Sequence, residues 1–254
     1  MTERTQRVAV TIDGPVAHLR LDRAAKRNAL DDATVDELQR FFTNPPGVRA
    51  AVLDGAGDHF CAGLDLAEHV SRGTSDVLAH SRGWHAAFDA IAFGKVPLVV
   101  VIRGAAIGGG FELAAAAHVR VAERSAFFEL PEGQRGLFLG GGGSVRISRL
   151  IGTSRVMDMM LTGRRYGAAD AERVGAVQYV VEDGEGLAFG LALARKIAPN
   201  AAHTNAAIVQ ALPRIADMPY ADGLYAEAAT AALMAGEDES RTRITAFLER
   251  KRTR

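Results

Sequence analysis

A triple glycine, Gly108-Gly109-Gly110, followed two residues later by Glu112, is the segment of this chain whose residue types most directly indicate chemistry. Glycines allow a ligand to approach the backbone closely, and the first N–H groups of a helix have no partner within that helix. The helix dipole also favours negative charge there, so the segment is suited to hold an oxyanion. Glu112 lies three residues after Gly109, which places its carboxylate on the same side of the helix start. An alternative stays open: the glycines serve close helix packing, and Glu112 only complements the dipole.

Three other kinds of active site receive weak support. The segment GAGDHF at Gly55–Phe60 has the first two glycines of a dinucleotide-binding fingerprint but a phenylalanine in place of the third. The run Gly140–Gly143 lacks the lysine of a phosphate-binding loop, and no GxSxG motif of serine hydrolases occurs. His59 and Cys61 suggest a base and a thiol, but residues two apart on an extended segment point the same way without touching. A single cysteine is usually an apolar filler, so a thiol enzyme is disfavoured.

Charge and cysteine content exclude several partners and cofactors. The 30 basic and 30 acidic side chains cancel, so no net field attracts nucleic acid or an anionic membrane. The single cysteine cannot form an internal disulfide, and the seven histidines show neither HExxH nor zinc-finger spacing, so we expect no metal. The N-terminal segment has no apolar core of a signal peptide, and no apolar run reaches membrane-spanning length. We therefore expect a cytoplasmic protein.

The elements that position these residues can be predicted from the periodicity of apolar residues. Alternating segments flank Asp13-Gly14, a hairpin dipeptide, and a helical pattern follows the aspartate pair at 31–32, which offers suitable caps. The buried strands AAVLDG and PLVVVIRG are separated by a helical stretch from about Ser75 to Phe93. Strand and helix patterns then alternate to about Val181, and nearly all of the remaining chain is helical. This order predicts an α/β protein with a mainly parallel sheet covered by helices.

Four motifs occur in order along the chain. They are RNAL at Arg27–Leu30, FCAGLDL at Phe60–Leu66, GAAIGGGFELA at Gly104–Ala114 and FFELPEGQRGLFLGGGGSVRISRLIG at Phe127–Gly152. Together they resemble the crotonase family, the enoyl-CoA hydratases and isomerases. The resemblance implies an α/β fold, a crotonase-like spiral of β-β-α units over residues 1–195 that contains the CoA thioester site. It also implies a C-terminal helical trimerisation region, residues 196–254, that closes the site and forms a homotrimer or a hexamer of two trimers.

The resemblance implies an acyl-CoA thioester as substrate, with coenzyme A as part of that substrate and no separate cofactor. The backbone N–H groups of Leu64 and Gly109 are implied as donors to the thioester oxygen. Glu112 and Glu132 match the two acids of the family's hydratases. The residues implied to border the CoA and the substrate are Lys26, Arg27, Ala29, Leu30, Ala62, Gly63, Asp65, Leu66, Gly108 and Gly140.

The two glutamates decide which reaction is expected. Water addition needs a base for the water and an acid for C2, so we assign Glu112 to the water and Glu132 to the proton transfer. Two carboxylates in an apolar pocket also raise one another's proton affinity, which helps to keep one of them protonated. We therefore predict an enoyl-CoA hydratase that converts a trans-2-enoyl-CoA to a 3-hydroxyacyl-CoA. An enoyl-CoA isomerase with one shuttling acid, and a non-catalytic acyl-CoA-binding homologue, remain the alternatives.

Several positions depart from the family pattern. Gly133 follows Glu132 where an aliphatic residue is common, so we expect a looser loop or a larger pocket. His118 stands where an acidic residue is frequent, and we expect it to serve packing or capping rather than catalysis. Trp84 and Phe88 either line an acyl tunnel or pack in the core.

Overall fold

The hairpin predicted around Asp13-Gly14 opens the fold in the computed structural model, which describes residues 6–252. Strands β1 (Val8–Asp13) and β2 (Val16–Leu21) pair antiparallel, with Asp13 opposite Val16. Gly14 has a φ of +54°, a conformation that glycine adopts without steric cost and that a tight hairpin turn requires.

The other strands belong to two sheets. They are β3 (Ala50–Gly55), β4 (Leu98–Ile102), β5 (Ala105–Ile107), β6 (Val119–Glu123), β7 (Phe127–Glu129), β8 (Tyr166–Gly167) and β9 (Tyr179–Val181). The larger sheet has the order β1-β2-β3-β4-β6-β9 and is parallel from β2 onward, as the sequence predicts. The smaller sheet, β5-β7-β8, was not predicted, because strands of two or three residues show no usable periodicity.

Helices fill the connections between strands and most of the C-terminal third. They are α1 (Asp32–Thr43), α2 (Leu66–His69), α3 (Thr74–Ala92), α4 (Gly109–Ala116), α5 (Gly143–Ile151), α6 (Thr153–Thr162), α7 (Ala168–Arg173), α8 (Gly186–Ile197), α9 (Ala202–Ile215), α10 (Tyr220–Gly236) and α11 (Asp238–Arg252). Asp31 caps α1 by accepting a hydrogen bond of 2.9 Å from Thr34 N. Helices α1 and α3 confirm the helical patterns of the sequence, whereas α2 is too short to have been predicted.

The parallel sheet is buried on both faces. Leu53 of β3 faces the core formed with α1, α3 and α4, while its neighbour Val52 faces α8. Side chains of successive strand residues point to opposite faces, so an uninterrupted apolar run such as the first four residues of AAVLDG is what such a strand requires. The sheet therefore fixes α3 and α4 on one side, and these two helices carry part of the lining of the site.

A β-β-α unit places helix α4. Strand β4 belongs to the large sheet, β5 follows it directly in the small sheet, and α4 begins immediately after β5. Strands β6 and β7 repeat this arrangement, since they too lie in different sheets. Residue 195, where we expect the core to end, lies inside α8, which packs on the large sheet. Within residues 6–252, no helix is both long enough and apolar enough to cross a membrane.

Candidate active site

Two backbone N–H groups lie side by side at the start of α4. Gly63 has a φ of +90° and approaches α4 so closely that a Cβ there would lie 3.2 Å from Gly109 N. A Cβ on Gly109 would in turn lie 3.3 Å from Leu64 N. Neither Leu64 N nor Gly109 N donates a hydrogen bond to another residue in the described part of the chain. The structure therefore brings the two predicted donors together with both hydrogens available to a ligand.

The loop that carries Leu64 is held by a short bridge to the segment after β2. Leu30 N donates to Gly63 O at 2.7 Å, and Asp65 N donates to Leu30 O at 2.9 Å. Ala62 N donates to Arg27 O at 2.9 Å. The predicted segment at residues 26–30 thus lies against the loop at 62–66 and fixes the direction of its amides.

Glu112 is held by amides from a distant part of the chain. Its Oε1 accepts hydrogen bonds of 2.8 Å from both Gly141 N and Gly143 N. Burial raises the pKa of Glu112, while these two donors and the positive charge of Arg146 oppose the rise. The carboxylate is therefore fixed in one orientation, with Oε2 left for another contact.

The glycine run that holds Glu112 has no room for side chains at Gly141 and Gly143. A Cβ at Gly141 would lie 3.0 Å from Glu112 Oε2, and one at Gly143 would lie 2.7 Å from Glu112 Cγ. Ser81 Oγ donates to Gly140 O at 2.6 Å, which attaches the run to α3. The run is therefore anchored at its first residue and closely packed around Glu112.

Glu132 faces the same space from the opposite side. A Cβ on Gly108 would overlap its Oε1, so the carboxylate lies directly beside the triple glycine. Its Oε2 is buried and has no hydrogen-bond partner among residues 6–252. Burial, supplemented by the negative charge of Glu112, raises the pKa of Glu132 to about 7. Of the predicted mutual effect, only the action of Glu112 on the pKa of Glu132 is present, and desolvation is the larger cause there; the pKa of Glu112 is raised by burial.

One cavity of about 410 Å³ joins these groups. Its volume lies in the range of small-molecule sites. The predicted residues that line it are Ala62, Gly63, Leu64, Leu66, Gly108, Gly109, Glu112, Glu132 and Gly140. The predicted residues that do not line it are Lys26, Arg27, Ala29, Leu30 and Asp65. Two adjacent amide donors and two carboxylates thus meet at one enclosed space, as stabilisation of an oxyanion with proton transfer requires.

A family model described as enoyl-CoA hydratase/isomerase matches residues 11–254. The chain belongs to this family. Its structure superposes with a TM-score of 0.94 on a protein from Rhodopseudomonas palustris CGA009 described provisionally as an enoyl-CoA hydratase; the two are 48% identical, over 97% of this chain and 96% of that one. The crotonase fold and a hydratase-like chemistry on a CoA thioester follow from these findings.

Curated relatives of this crotonase-family chain carry different substrate names. Enoyl-CoA hydratase EchA19 of Mycobacterium tuberculosis is 33% identical over 205 residues, which cover 78% of this chain and 77% of the relative. Carnitinyl-CoA dehydratase of Salmonella enteritidis is also 33% identical, over 218 residues that cover 84% and 83% of the two chains. Both names describe reactions of CoA thioesters, but of different acyl groups. Similarity to these relatives therefore indicates the family and a CoA thioester, and does not identify the acyl group.

Asn28 is a structural residue of the crotonase-family site that the sequence analysis did not identify. It is buried, has a φ of +55°, and donates to Ala56 O and His59 O at 2.9 and 2.8 Å. Asparagine tolerates this left-handed conformation better than most other non-glycine residues. The asparagine of the RNAL motif could therefore have indicated a tight turn at this position. Asn28 joins the turn after β2 to the loop that leads to Leu64.

Asp65 is also engaged inside the protein. Arg23, which the sequence analysis also did not identify, pairs with Asp65 at 2.9 Å, and Asp65 Oδ1 accepts a hydrogen bond of 3.3 Å from Ala67 N at the start of α2. Its carboxylate therefore stabilises the loop geometry.

The departures from the family pattern have structural explanations. A Cβ on Gly133 would overlap Met160 O, and Gly133 does not line the cavity, so this glycine permits close packing on α6 and does not enlarge the pocket. His118 Nδ1 accepts from Leu98 N at 2.9 Å, and burial lowers the pKa of His118 to about 4, which confirms a packing role. Trp84 lines the cavity, whereas Phe88 is fully buried in the core.

The thiol is unsuited to nucleophilic chemistry, as expected. Cys61 is fully buried, and burial raises the pKa of its thiol to about 12. His59 Nδ1 accepts from Ala105 N at 3.2 Å and so serves the backbone. Within the described residues, no group of three or more His, Cys, Asp or Glu side chains has the arrangement of a metal site.

Proposed function

We propose that the protein adds water to a trans-2-enoyl-CoA thioester and forms the 3-hydroxyacyl-CoA. The observation that carries this proposal is that Glu112 and Glu132 open into one cavity beside the free amides of Leu64 and Gly109. Hydration needs a base and an acid on one substrate, whereas a double-bond shift can proceed with a single shuttling acid.

The amides of Leu64 and Gly109 bind the thioester oxygen. When water attacks C3, the electrons of the C2–C3 double bond move toward this oxygen, and an enolate-like charge develops there. Both N–H groups are unpaired and fixed, so they stabilise the charge without rearranging. Loss of one such donor costs about 3 kcal/mol in other enzymes.

The two carboxylates divide the proton transfers. Glu112, oriented by the amides of Gly141 and Gly143, accepts a proton from water as its oxygen bonds to C3. Glu132, whose pKa is raised to about 7, holds the proton that passes to C2 as the enolate collapses. The product thioester then carries the hydroxyl at C3 and the new hydrogen at C2. The proton gained by Glu112 must return to Glu132 before the next turnover.

The coenzyme A portion lies along the segment at residues 26–30. Lys26 and Arg27 are exposed there and offer cations to the phosphates, while the backbone of Ala29 and Leu30 borders the loop of Leu64. Because this segment lies outside the 410 Å³ cavity, the CoA extends over the surface while the acyl chain enters the cavity.

The C-terminal helices form a homotrimer, alone or paired into a hexamer. Helices α9, α10 and α11 carry large apolar side chains that are exposed in the single chain: Leu212, Leu224, Tyr225, Leu233 and Phe247. Exposed apolar groups concentrated on neighbouring elements are typical of subunit interfaces. Sedimentation at working concentration tests this directly, and a monomer would contradict it.

Substitution of each acid tests the reaction. Glu112→Gln and Glu132→Gln should each remove most hydration of crotonyl-CoA, because an amide cannot exchange the required proton. The double variant should be little worse than the worse single variant, since the two acids act as a unit. Glu182→Gln, an exposed acid far from the cavity, is the matched control.

A parallel assay distinguishes the isomerase. Conversion of 3-enoyl-CoA to 2-enoyl-CoA should be followed with the same variants, and thioester binding should be measured for each. If one folded single variant keeps full hydration, the two-carboxylate mechanism is wrong. If the unmodified protein shifts the double bond without adding water, it is an isomerase.

A further inference from the structure

Trp84 closes the cavity next to the groups proposed for catalysis. A Cβ on Gly109 would lie 2.7 Å from Trp84 Cζ3 and 2.9 Å from Trp84 Cη2, and a Cβ on Gly141 would lie 2.9 Å from Trp84 Cε3. One edge of the indole therefore packs against both the amide donor at Gly109 and the loop that orients Glu112. Trp84 is only 4% exposed, so its neighbours hold the ring in this place.

A second cavity is lined by the same ring. It has a volume of about 340 Å³ and lies mainly between α1 and α3. Trp84 and His80 line this cavity as well as the cavity of the proposed reaction, and their ring centroids are 5.2 Å apart. These two rings therefore form a partition between the two cavities.

The second cavity offers space to a chain that passes the partition. Val35 and Ala79 contribute apolar surface to its lining, and Gly83 has no atom within 4 Å of an added Cβ. Asp36 and Asp76 also line it and are exposed, so this cavity opens at the protein surface. The partition is thus what keeps the reaction cavity closed on this side.

The packed edge of Trp84 borders the reacting part of the proposed substrate. The carbonyl oxygen lies at the amides of Leu64 and Gly109, and C3 lies where Glu112 delivers water. The indole packs against Gly109 and also against Gly141, whose amide holds the Glu112 carboxylate. The carbons that follow C3 therefore meet this ring before they can reach the second cavity.

We propose that Trp84 determines the length of the acyl group: its indole ends the acyl pocket a short distance beyond C3 and separates it from the second cavity. This inference rests on the proposed function, because it concerns the acyl part of the same thioester. A buried ring that is held by packing is a rigid wall, and closely packed interiors accommodate extra methylenes poorly. The unmodified protein is therefore suited to short enoyl groups.

The test compares a short and a long substrate. For the unmodified protein, kcat/KM for crotonyl-CoA should exceed that for trans-2-decenoyl-CoA. Trp84→Ala removes the partition, so the ratio of kcat/KM for decenoyl-CoA to that for crotonyl-CoA should rise about 10-fold, the effect of burying about two further methylenes. The ratio is compared because the lost packing against Gly109 should slow both reactions. Equal use of both substrates by the unmodified protein, or an unchanged ratio in Trp84→Ala, would overturn the proposal.

Two further variants assign the effect to the ring. Trp84→Leu keeps more of the packing, so it remains informative if Trp84→Ala does not fold, and it should raise the ratio about 3-fold. Phe88→Leu is the matched control, because Phe88 Cε2 also lies 2.9 Å from an added Cβ on Gly141 but Phe88 lines neither cavity. Its ratio should equal that of the unmodified protein. An equal rise in Phe88→Leu would show that loosening of α3, and not loss of the partition, changes the preference.

Binding measurements separate this inference from the proposed reaction. Butyryl-CoA and decanoyl-CoA lack the double bond and do not react, so calorimetry gives their affinities for each variant. If Trp84→Ala gains relative affinity for decanoyl-CoA and the unmodified protein hydrates neither enoyl thioester, the hydratase is refuted and the partition is supported. Hydration by the unmodified protein, with the same ratio of affinities in Trp84→Ala, would support the hydratase and refute the partition.

Discussion

Arg146 Nη1 donates a hydrogen bond of 2.9 Å to Gly141 O, and the N–H of this same glycine donates to Glu112. A second nitrogen of Arg146 pairs with Asp89 of α3 at 2.5 Å. Arg146 does not line the cavity, so it acts on the reaction only through the loop and through its charge. It is therefore a positioning residue for the proposed base.

Replacement of Arg146 by methionine should reduce kcat by about 10- to 100-fold, because small displacements of a catalytic group have effects of this size. KM for crotonyl-CoA should change little. Loss of the positive charge should also raise the pKa of Glu112 further, so the acidic limb of the pH–rate profile should move to higher pH. Steady-state kinetics across pH measure all three quantities.

Two matched variants complete this test. Arg146→Lys retains the charge and should recover the acidic limb while restoring only part of kcat, since it lacks the second nitrogen. Arg155→Met removes an exposed arginine that donates to Ile151 O and does not line the cavity, and it should behave as the unmodified protein. An unchanged kcat in Arg146→Met would contradict the positioning role, and an unshifted pH profile would contradict the effect of its charge.

Hydration should decline as the pH rises through about 7. In the proposed mechanism, Glu132 must be protonated in order to give a proton to C2. Its pKa is raised to about 7 because the carboxyl is buried beside Glu112. The basic limb of kcat/KM for crotonyl-CoA reports this group in the free enzyme. A profile that stays flat from pH 6 to pH 9 would mean that another group supplies the proton.

The same shift predicts a change in stability with pH. The pKa of Glu132 in the folded protein lies above its ordinary value of 4.5, so its contribution to stability is complete below pH 4.5 and is lost as the pH rises to about 7. Glu132→Gln should therefore be more stable than the unmodified protein at pH 8, on the order of 1–3 kcal/mol, and similar at pH 4.5. Urea denaturation at the two pH values measures the difference. If Glu132→Gln is no more stable than the unmodified protein at pH 8, the carboxylate of Glu132 is better solvated than its burial indicates.

Two glycine-to-alanine substitutions should have opposite effects. At Gly143 a Cβ would lie 2.7 Å from Glu112 Cγ, so Gly143→Ala should destabilise the fold by about 1–3 kcal/mol and reduce kcat severely. At Gly83, in the middle of α3, nothing lies within 4 Å of the added atom, so Gly83→Ala should stabilise the protein by about 0.5–1 kcal/mol. Thermal denaturation and crotonyl-CoA hydration are measured for both. Normal activity of Gly143→Ala would mean that the loop can retreat from Glu112.

Long elements could be predicted because their sequence carries a repeated signal. Strand β4 and the first four residues of β3 are continuous apolar runs, and α3 follows a helical pattern over 19 residues. The four-residue helix α2 and the strands of the small sheet are too short for such a signal, and their pairing depends on contacts between distant parts of the chain.

The parts of the site that belong to a sequence motif could be predicted. The motifs predicted that Glu112, Glu132 and the two amide donors share one site, and all four residues line the same cavity. Two features depend on tertiary contacts that no local pattern records: the hydrogen bonds from the amides of Gly141 and Gly143 to Glu112, and the hydrogen bond from Arg146 to Gly141 O. These residue types are common, and only their neighbours distinguish these positions.

The hydrogen bonds from Gly141 and Gly143 to Glu112 also bear on how the protein folds. Glu112 follows β5, whereas the glycines that orient it come 29 and 31 residues later, after β7 and the turn of Glu132. Contacts of this separation form late, because the intervening chain must first be ordered. A nascent chain that has completed only the first β-β-α unit, β4-β5-α4, therefore contains Glu112 but lacks the two glycine amides that orient its carboxylate. Recovery of catalytic activity during refolding would consequently report when Gly141 and Gly143 bind Glu112. It would lag behind the recovery of the helix and strand signals.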